Sequence, residues 1–367
     1  MPKPSKVALV HDWLTGMRGG EKVLEVFCGM FPEADIFTLL HVPGSVSEKI
    51  ESHKIKTSFL QSIPGIRNSY RYFLPLMPRA VESFDLSAYD LVVSTSHCVA
   101  KGAVAGTKAV NVSYCFTPMR YIWDQFDLYF GPERAGPVVR GAMRILRPVL
   151  QRWDRKSSKR VTHFIADSAY VAARIRNFYG RQAEVIYPHA DTEFYAPGTS
   201  KPGDFHLIVS ALAPYKRLEL AVEAFNRMGK KLKIIGSGPS LARLMGIAGP
   251  NIEFLGWRSN EEIRDHYRAC AALIFPGTED FGIVPLEAMA CGRPVVAYGE
   301  GGALETVSEN ASGIFFREAS ARSLTEAVRK AERMPWDGGK IRARALEFSR
   351  EKFVSRLKSF FDKILIR

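Results

Sequence analysis

The sequence predicts an α/β protein built of two Rossmann-like domains, and three observations carry that expectation. At 367 residues the chain is too long for one ordinary core and suits two α/β domains. Short apolar runs alternate with helical patterns from end to end, the signature of parallel sheets with helices on both faces. The alternation is interrupted once, between residues 186 and 204, by a segment containing Ala196-Pro197-Gly198-Thr199-Ser200-Lys201-Pro202-Gly203, which has the composition of an exposed connector. Two similar halves joined in this way are expected to leave a cleft, the usual place for a ligand.

In the first half, strands are expected near residues 6–10, 35–39, 90–94, 108–113, 162–166 and 183–187, with helices over 20–29, 137–156 and 168–179. In the second half, strands are expected near 205–210, 231–235, 252–255, 271–275, 294–297 and 313–316, with helices between them. The final stretch, about 339–366, is helical and basic, with Phe348, Phe353, Leu357, Phe360, Phe361 and Ile364 as an apolar stripe.

An apolar fraction of 46% and a charged fraction of 24% are those of a folded chain. Five scattered cysteines without metal-like spacing fit a reducing compartment and argue against a disulfide framework. No secretory signal or spanning apolar run is read, so the chain is expected to be soluble or peripheral. The net charge is +9 over residues 1–187 and +4 over 188–367, which points to a polyanionic partner without choosing nucleic acid, membrane or phosphorylated substrate.

The most informative stretch is Glu279-Asp280-Phe281-Gly282-Ile283-Val284-Pro285-Leu286-Glu287. It follows the apolar run Ala271–Phe275 and opens an expected helix from Pro285 to Cys291. That places it at the carboxyl end of a parallel strand, where open α/β sheets bind ligands. A helix start offers free N–H groups to a phosphate or sugar oxygen. Glu287 could accept two hydrogen bonds from a vicinal diol such as a ribose. The bland reading is two solvated glutamates around an ordinary turn.

Four further strand-end segments join the same hypothesis. His11 to Glu21, containing Gly16, Gly19 and Gly20, lets a backbone approach an anion or is only a tight turn, and its spacing is not that of a dinucleotide fingerprint. In Ser210 to Arg217, Lys216 and Arg217 bring two cations to a sheet edge, the charge a leaving diphosphate needs, with a solvated basic pair on a loop as the alternative. Gly236-Ser237-Gly238-Pro239 and Gly256-Trp257-Arg258 could line a base or its phosphates, or be plain turns. The fragment Tyr114 to Asp124 is dense in aromatics and suits a sugar acceptor, with a packed core corner as the alternative. Arg140, Arg144, Arg147, Arg152, Arg155, Lys156, Lys159 and Arg160 accompany Val138, Val139, Met143, Ile145, Leu146, Val149 and Leu150 in a basic amphipathic stretch, an ordinary surface helix or a bilayer-facing one. No Asp-x-Asp pair, HExxH, Walker loop or nucleophile elbow is present, which removes most support for metal-assisted, NTPase and serine-hydrolase readings.

With these residues in hand, the chain resembles the retaining GT-B glycosyltransferases that carry the E-x7-E motif. The resemblance rests on Pro214-Tyr215-Lys216-Arg217, Gly236-x-Gly238-Pro239, Glu279-x7-Glu287 and Ala288-Met289-Ala290-x-Gly292-x-Pro294-Val295. Gly19-Gly20-Glu21 and Thr117-Pro118-Met119-Arg120-Tyr121-x-Trp123 are similar to one branch, the bacterial GDP-mannose-dependent mannosyltransferases of polysaccharide assembly. The resemblance implies residues 1–187 as an acceptor-binding domain and 188–350 as a sugar-nucleotide-binding domain facing it across a cleft. It implies a helix, 351–367, crossing back to pack on the first.

It further implies that Glu279 and the amides of Phe281, Gly282, Ile283 and Val284 hold the donor sugar. Glu287 would bind the ribose, Lys216 with Arg217 the diphosphate, and Gly19, Gly20, Gly236, Gly238 and Gly256 would complete the donor site. Arg120, Tyr121 and Trp123 are acceptor-side candidates, and Lys216 and Glu279 the catalytic pair. The implied reaction is hexose transfer from a sugar nucleotide, mannose from GDP-mannose, with retention and without a metal or cofactor. The implied partners are a saccharide or polyprenyl-linked acceptor and an anionic membrane surface, but no nucleic acid. The implied location is cytoplasmic, at the inner face of the membrane.

Two positions depart from the family pattern. Ala211 stands where an arginine precedes the diphosphate lysine, and Phe116 stands where a histidine precedes Thr-Pro. Neither His11 nor His97 matches that histidine's motif. The competing readings are a UDP-sugar-dependent transferase, an inactive nucleotide-sugar-binding homologue and a sugar-nucleotide epimerase.

Overall fold

The computed structural model describes residues 6–132, 135–199 and 202–365; Ser200 and Lys201 of the connector and the last residue of the expected final helix, 366, lie outside them. The chain divides into two compact units, residues 1–187 with 354–367, and residues 188–353.

The first unit is built on seven parallel strands: β1 (Val7–His11), β2 (Asp35–Thr38), β3 (Ile55–Thr57), β4 (Leu91–Ser96), β5 (Val110–Cys115), β6 (His163–Ala166) and β7 (Ala183–Val185). Their order is β3-β2-β1-β4-β5-β6-β7. The central strands are buried along their whole length, which explains their continuous apolar runs. Beneath the sheet, Lys101 and Asp154 form an ion pair of 2.5 Å that is almost fully buried. It is tolerable there because Ser157, Trp123 and Tyr179 satisfy the remaining valences. The helix Arg350–Leu365 belongs to this unit from Val354 onward, and Phe361 packs edge-on against Phe27 and Phe31 at 6.2 and 5.4 Å.

The second unit has six parallel strands: β8 (Phe205–Val209), β9 (Lys231–Ile235), β10 (Ile252–Gly256), β11 (Ala272–Phe275), β12 (Val295–Tyr298) and β13 (Gly313–Phe316). Their order is β10-β9-β8-β11-β12-β13. The two-domain parallel α/β architecture is the one expected.

Three local differences have physical reasons. Strand β3 was not expected, because two half-buried residues and one exposed residue at a sheet edge carry no apolar run. The final stretch is two helices, Gly338–Leu346 and Arg350–Leu365, broken where Phe348 turns inward to pack on Phe281 at 5.8 Å. The helix expected from Pro285 starts earlier, at Ile283, and ends at Ala290.

Candidate functional site

In the second unit the strand order reverses between β8 and β11, and the loops leaving their carboxyl ends run in opposite directions. A doubly wound sheet opens its ligand crevice at such a switch point. The loop after β8 delivers Lys216, and the loop after β11 delivers Glu279. The Lys216 ammonium contacts the Glu279 carboxylate directly, with both side chains only partly exposed. The two loops also touch along their backbones, since a Cβ on Gly277 would lie 3.0 Å from the Lys216 Cα.

Arg217 extends the same cluster. It adopts a left-handed conformation with φ 53°, a strain of about 1 kcal/mol for a non-glycine residue. That conformation lets it end the turn Pro214–Lys216 and cap the helix Leu218–Met228. Its guanidinium lies 4.7 Å from the Tyr298 ring and 4.0 Å from Glu300. Its Nη1 is buried with no hydrogen-bond partner among the described residues. A buried, unmatched donor beside a lysine is an anion-seeking arrangement.

The helix Ile283–Ala290 begins here, and its N-cap Gly282, at φ 85°, has no side chain with which to satisfy the first N–H groups. Phe281 is buried, whereas Ile283 and Val284 are half-buried. Glu287, a little over one turn along, is buried and accepts a hydrogen bond from the Tyr267 hydroxyl at 3.1 Å. Burial and the Glu287 charge together drive the Tyr267 phenol well above its ordinary pKa, so it stays a donor. Tyr267 was not foreseen, since twenty residues separate the partners.

The glycines tell a more structural story. A Cβ on Gly236, at φ 136°, would fall 1.9 Å from the Ser210 carbonyl oxygen, so the turn after β9 must be glycine simply to pass the turn after β8. Gly238 meets the Leu212 carbonyl in the same way, and Gly256 ends β10 in open space. A further loop, missed in the sequence, buttresses the Glu279 segment: Gly302 donates its N–H to the Glu279 carbonyl at 2.9 Å, and Thr278 donates to Glu300 at 3.0 Å. The signal available was Gly299-Glu300-Gly301-Gly302 directly after β12.

In the first unit, Gly19 opens the helix Gly19–Met30, and a Cβ on Gly20 would press on Phe116 and His11 at 3.3 and 3.5 Å. His11 is buried, with Nδ1 2.7 Å from Thr95 Oγ1 and Nε2 3.6 Å from Glu21. Burial raises the Glu21 pKa, but His11 outweighs this and holds it below its ordinary value. Of the acceptor-side candidates, Arg120 and Tyr121 are half-buried, and the Tyr121 ring meets Tyr129 at 5.8 Å. Trp123 is a core residue, stacked on Phe178 at 4.8 Å, with its indole N–H committed to Asp154 at 2.7 Å. The core-corner alternative describes its surroundings. Among the described residues no three His, Cys, Asp or Glu side chains are grouped so as to hold a metal ion.

Residues 191–352, which make up nearly all of the second unit, match the family Glycosyl transferases group 1. A D-inositol 3-phosphate glycosyltransferase of Gordonia bronchialis is 27% identical over 55% of this chain and 52% of its own. A GDP-mannose-dependent alpha-(1-6)-phosphatidylinositol monomannoside mannosyltransferase of Mycobacterium tuberculosis is 28% identical over 44% of this chain and 50% of its own. The chain thus spans about half the length of the curated relatives it matches.

Two solved structures share the fold over essentially the whole chain. Sucrose-phosphate synthase of Thermosynechococcus elongatus has a TM-score of 0.75 at 17% identity, covering 98% of this chain and 99% of that one. Anabaena HepE, solved in complex with UDP, has a TM-score of 0.70 at 16% identity, covering 98% and 100%. The two parallel-sheet domains are those of the GT-B fold.

Proposed function

We propose that this protein transfers a hexose from a nucleotide sugar to an acceptor hydroxyl with anomeric retention and without a metal, in the assembly of a surface polysaccharide or glycolipid. One observation carries the reading: at the β8–β11 switch point Lys216 meets Glu279 beside the unmatched Arg217 Nη1. An anionic diphosphate satisfies Arg217 and shares Lys216, and it frees the Glu279 carboxylate to take hydroxyls of the hexose. The N–H groups from Phe281 to Val284 face negative charge at an uncapped helix start. Glu287, fixed by Tyr267, accepts the ribose hydroxyls. As the glycosidic bond breaks, negative charge grows on the leaving phosphate, and preorganised cations there lower the barrier more than they stabilise bound donor.

Mannose from GDP-mannose is our reading of the donor, supported by the first-half motifs and by the named activity of the Mycobacterium tuberculosis relative. A UDP-sugar donor is the second reading, favoured by the UDP and UDP-glucose complexes of HepE. Incubation with GDP-mannose, UDP-glucose and UDP-N-acetylglucosamine, following free nucleotide, separates them. Tight nucleotide binding with no turnover on any acceptor would leave an inactive binding homologue. No nucleotide binding at all would end the proposal. Proton NMR of the new glycosidic linkage tests retention.

The acceptor side of this reading includes an anionic membrane surface. The helix Pro137–Ser158 turns Val138, Ile145 and Val149 outward, followed along the same face by exposed Arg152 and Lys156. No described helix is long and apolar enough to cross a membrane. An apolar ridge continued by cations suits a helix lying on anionic headgroups. Flotation with anionic vesicles tests it: binding at low salt should be lost in Ile145→Asp, and no binding of the unaltered protein would refute it.

A further inference from the structure

The first unit has a switch point of its own, between β1 and β4, and a polar cluster outside the donor site occupies it. Asp12, directly after β1, is completely buried. Each of its carboxylate oxygens accepts two backbone N–H groups of the turn after β4: Oδ2 from His97 and Cys98 at 2.7 and 2.9 Å, Oδ1 from Val99 and Ala100 at 2.7 and 2.8 Å. One side chain thereby ties together the two loops that diverge at the switch point.

The same Oδ2 lies 3.1 Å from His97 Nδ1, which fixes the neutral ring with its proton on Nδ1. Nε2 then points away from Asp12 as an acceptor. The His97 side chain is 31% exposed, in contrast to His11, Asp12, Glu21 and Thr95 around it, which are buried. The partly exposed Trp13 ring lies nearly perpendicular to the imidazole with ring centroids 4.6 Å apart, and Trp13 is itself backed by Tyr70 at 5.1 Å. Phe116, at the end of β5, closes the third side with an apolar ring 6.5 Å away.

An oriented hydrogen-bond acceptor beside a supported indole is matched by a pyranose, which offers a hydroxyl donor and an apolar C–H face together. We infer that Asp12, His97 and Trp13 form a hexose-binding subsite of the first unit, with His97 Nε2 accepting from a sugar hydroxyl and Trp13 packing on the ring. The hexose is that of the donor or of the acceptor, and this inference rests on the transferase reading above. Asp12 is a positioning residue; His97 touches the sugar.

The test uses the full chain. Calorimetry measures GDP and UDP against GDP-mannose and UDP-glucose, and saturation-transfer NMR measures methyl α-mannoside and methyl α-glucoside. Diphosphate binding tests the transferase reading and should be unchanged in His97→Ala. That variant keeps the backbone N–H that Asp12 holds, so its Tm should match the unaltered protein. The hexose-dependent part should fall about tenfold, the scale of one net hydrogen bond, and should recover in part in His97→Gln, whose amide oxygen still accepts. A fall in the advantage of sugar nucleotide over diphosphate assigns the donor hexose; a fall in the glycoside signal assigns the acceptor hexose. Unchanged hexose binding in His97→Ala overturns the inference. So does an equal loss of diphosphate and hexose binding, which would make His97 a structural residue.

Discussion

Lys216→Ala tests the proposed donor site most directly, because the contact it removes has two consequences of different size. In the free protein the ammonium neutralises Glu279 at a half-buried position, with side-chain exposures of 13% and 23%. Such a pair lies between exposed pairs worth about 0–1 kcal/mol and buried pairs whose breaking costs about 3–5 kcal/mol, so the stability loss should be about 1–2 kcal/mol. The loss in the transition state should be larger, about 2–4 kcal/mol, the scale of one preorganised donor facing developing charge. That corresponds to a fall in kcat/KM of roughly 30- to 1,000-fold. Glu279→Gln supplies the contrast. It releases the ammonium from its internal partner, so nucleoside diphosphate should bind at least as tightly while turnover falls. The assay is kcat/KM for nucleotide release, with diphosphate affinity measured alongside. Near-normal kcat/KM in Lys216→Ala would refute the diphosphate role, and equal weakening of diphosphate binding by both substitutions would refute the exchange of partners.

Three other outcomes are expected. Glu287→Gln should weaken nucleotide binding about tenfold with little change in Tm, since the amide still accepts from Tyr267; nucleotide affinity unchanged by calorimetry would remove Glu287 from the site. Gly236→Ala should cost about 3 kcal/mol or more, because its methyl group would fall 1.9 Å from a backbone carbonyl oxygen at positive φ; a Tm within two degrees or so of the parent would show that the turn relaxes freely. His206 is buried, and burial, opposed by Glu332, lowers its pKa to about 4. The unfolded chain therefore binds a proton at about 6.5 that the folded chain refuses until about 4. Its stability contribution is complete above pH 6.5 and is lost as pH falls, by roughly 1.4 kcal/mol per pH unit and about 3 kcal/mol in all. Denaturant melts between pH 8 and 4 should show this slope reduced in His206→Leu; an identical slope would contradict the assignment.

The sheets were legible because parallel strands buried on both faces become unbroken apolar runs, as in Ala8–Val10 and Leu273–Phe275. What failed to announce itself lies at edges and breaks. Ile55-Lys56-Thr57 is too short and too polar to read as a strand. Between Phe59 and Glu82 the chain forms four helical pieces of four to seven residues, too short for any sustained period to show. Of the candidate site, residues on one short segment, such as Glu279 and Glu287, could be considered together from the sequence. Partners brought together only by the fold could not. The Asp12 clamp spans some 85 residues and Tyr267–Glu287 spans two elements, and neither leaves a local pattern.

That distinction changes what the glycine motifs mean. Gly236, Gly238, Gly277 and Gly302 each lie where a Cβ would strike the chain itself, against Ser210, Leu212, Lys216 and Phe281 respectively. They are required by the crowding of four strand-end loops, whether or not a ligand is present. Their spacing therefore reports how closely the loops pack, and the packing in turn sets Lys216 against Glu279. Arg217 is different in kind. A left-handed arginine with a buried, unmatched Nη1 is costly in both backbone and hydrogen-bond terms, and the contacts the guanidinium does make, over Tyr298 and toward Glu300, leave that Nη1 donor unmet. Such a cost persists when a bound anion repays it. If Arg217→Gly relieves the backbone strain, it should leave stability equal or higher while weakening diphosphate binding. A stability loss with no change in diphosphate affinity would mean that the guanidinium serves Tyr298 and Glu300 alone.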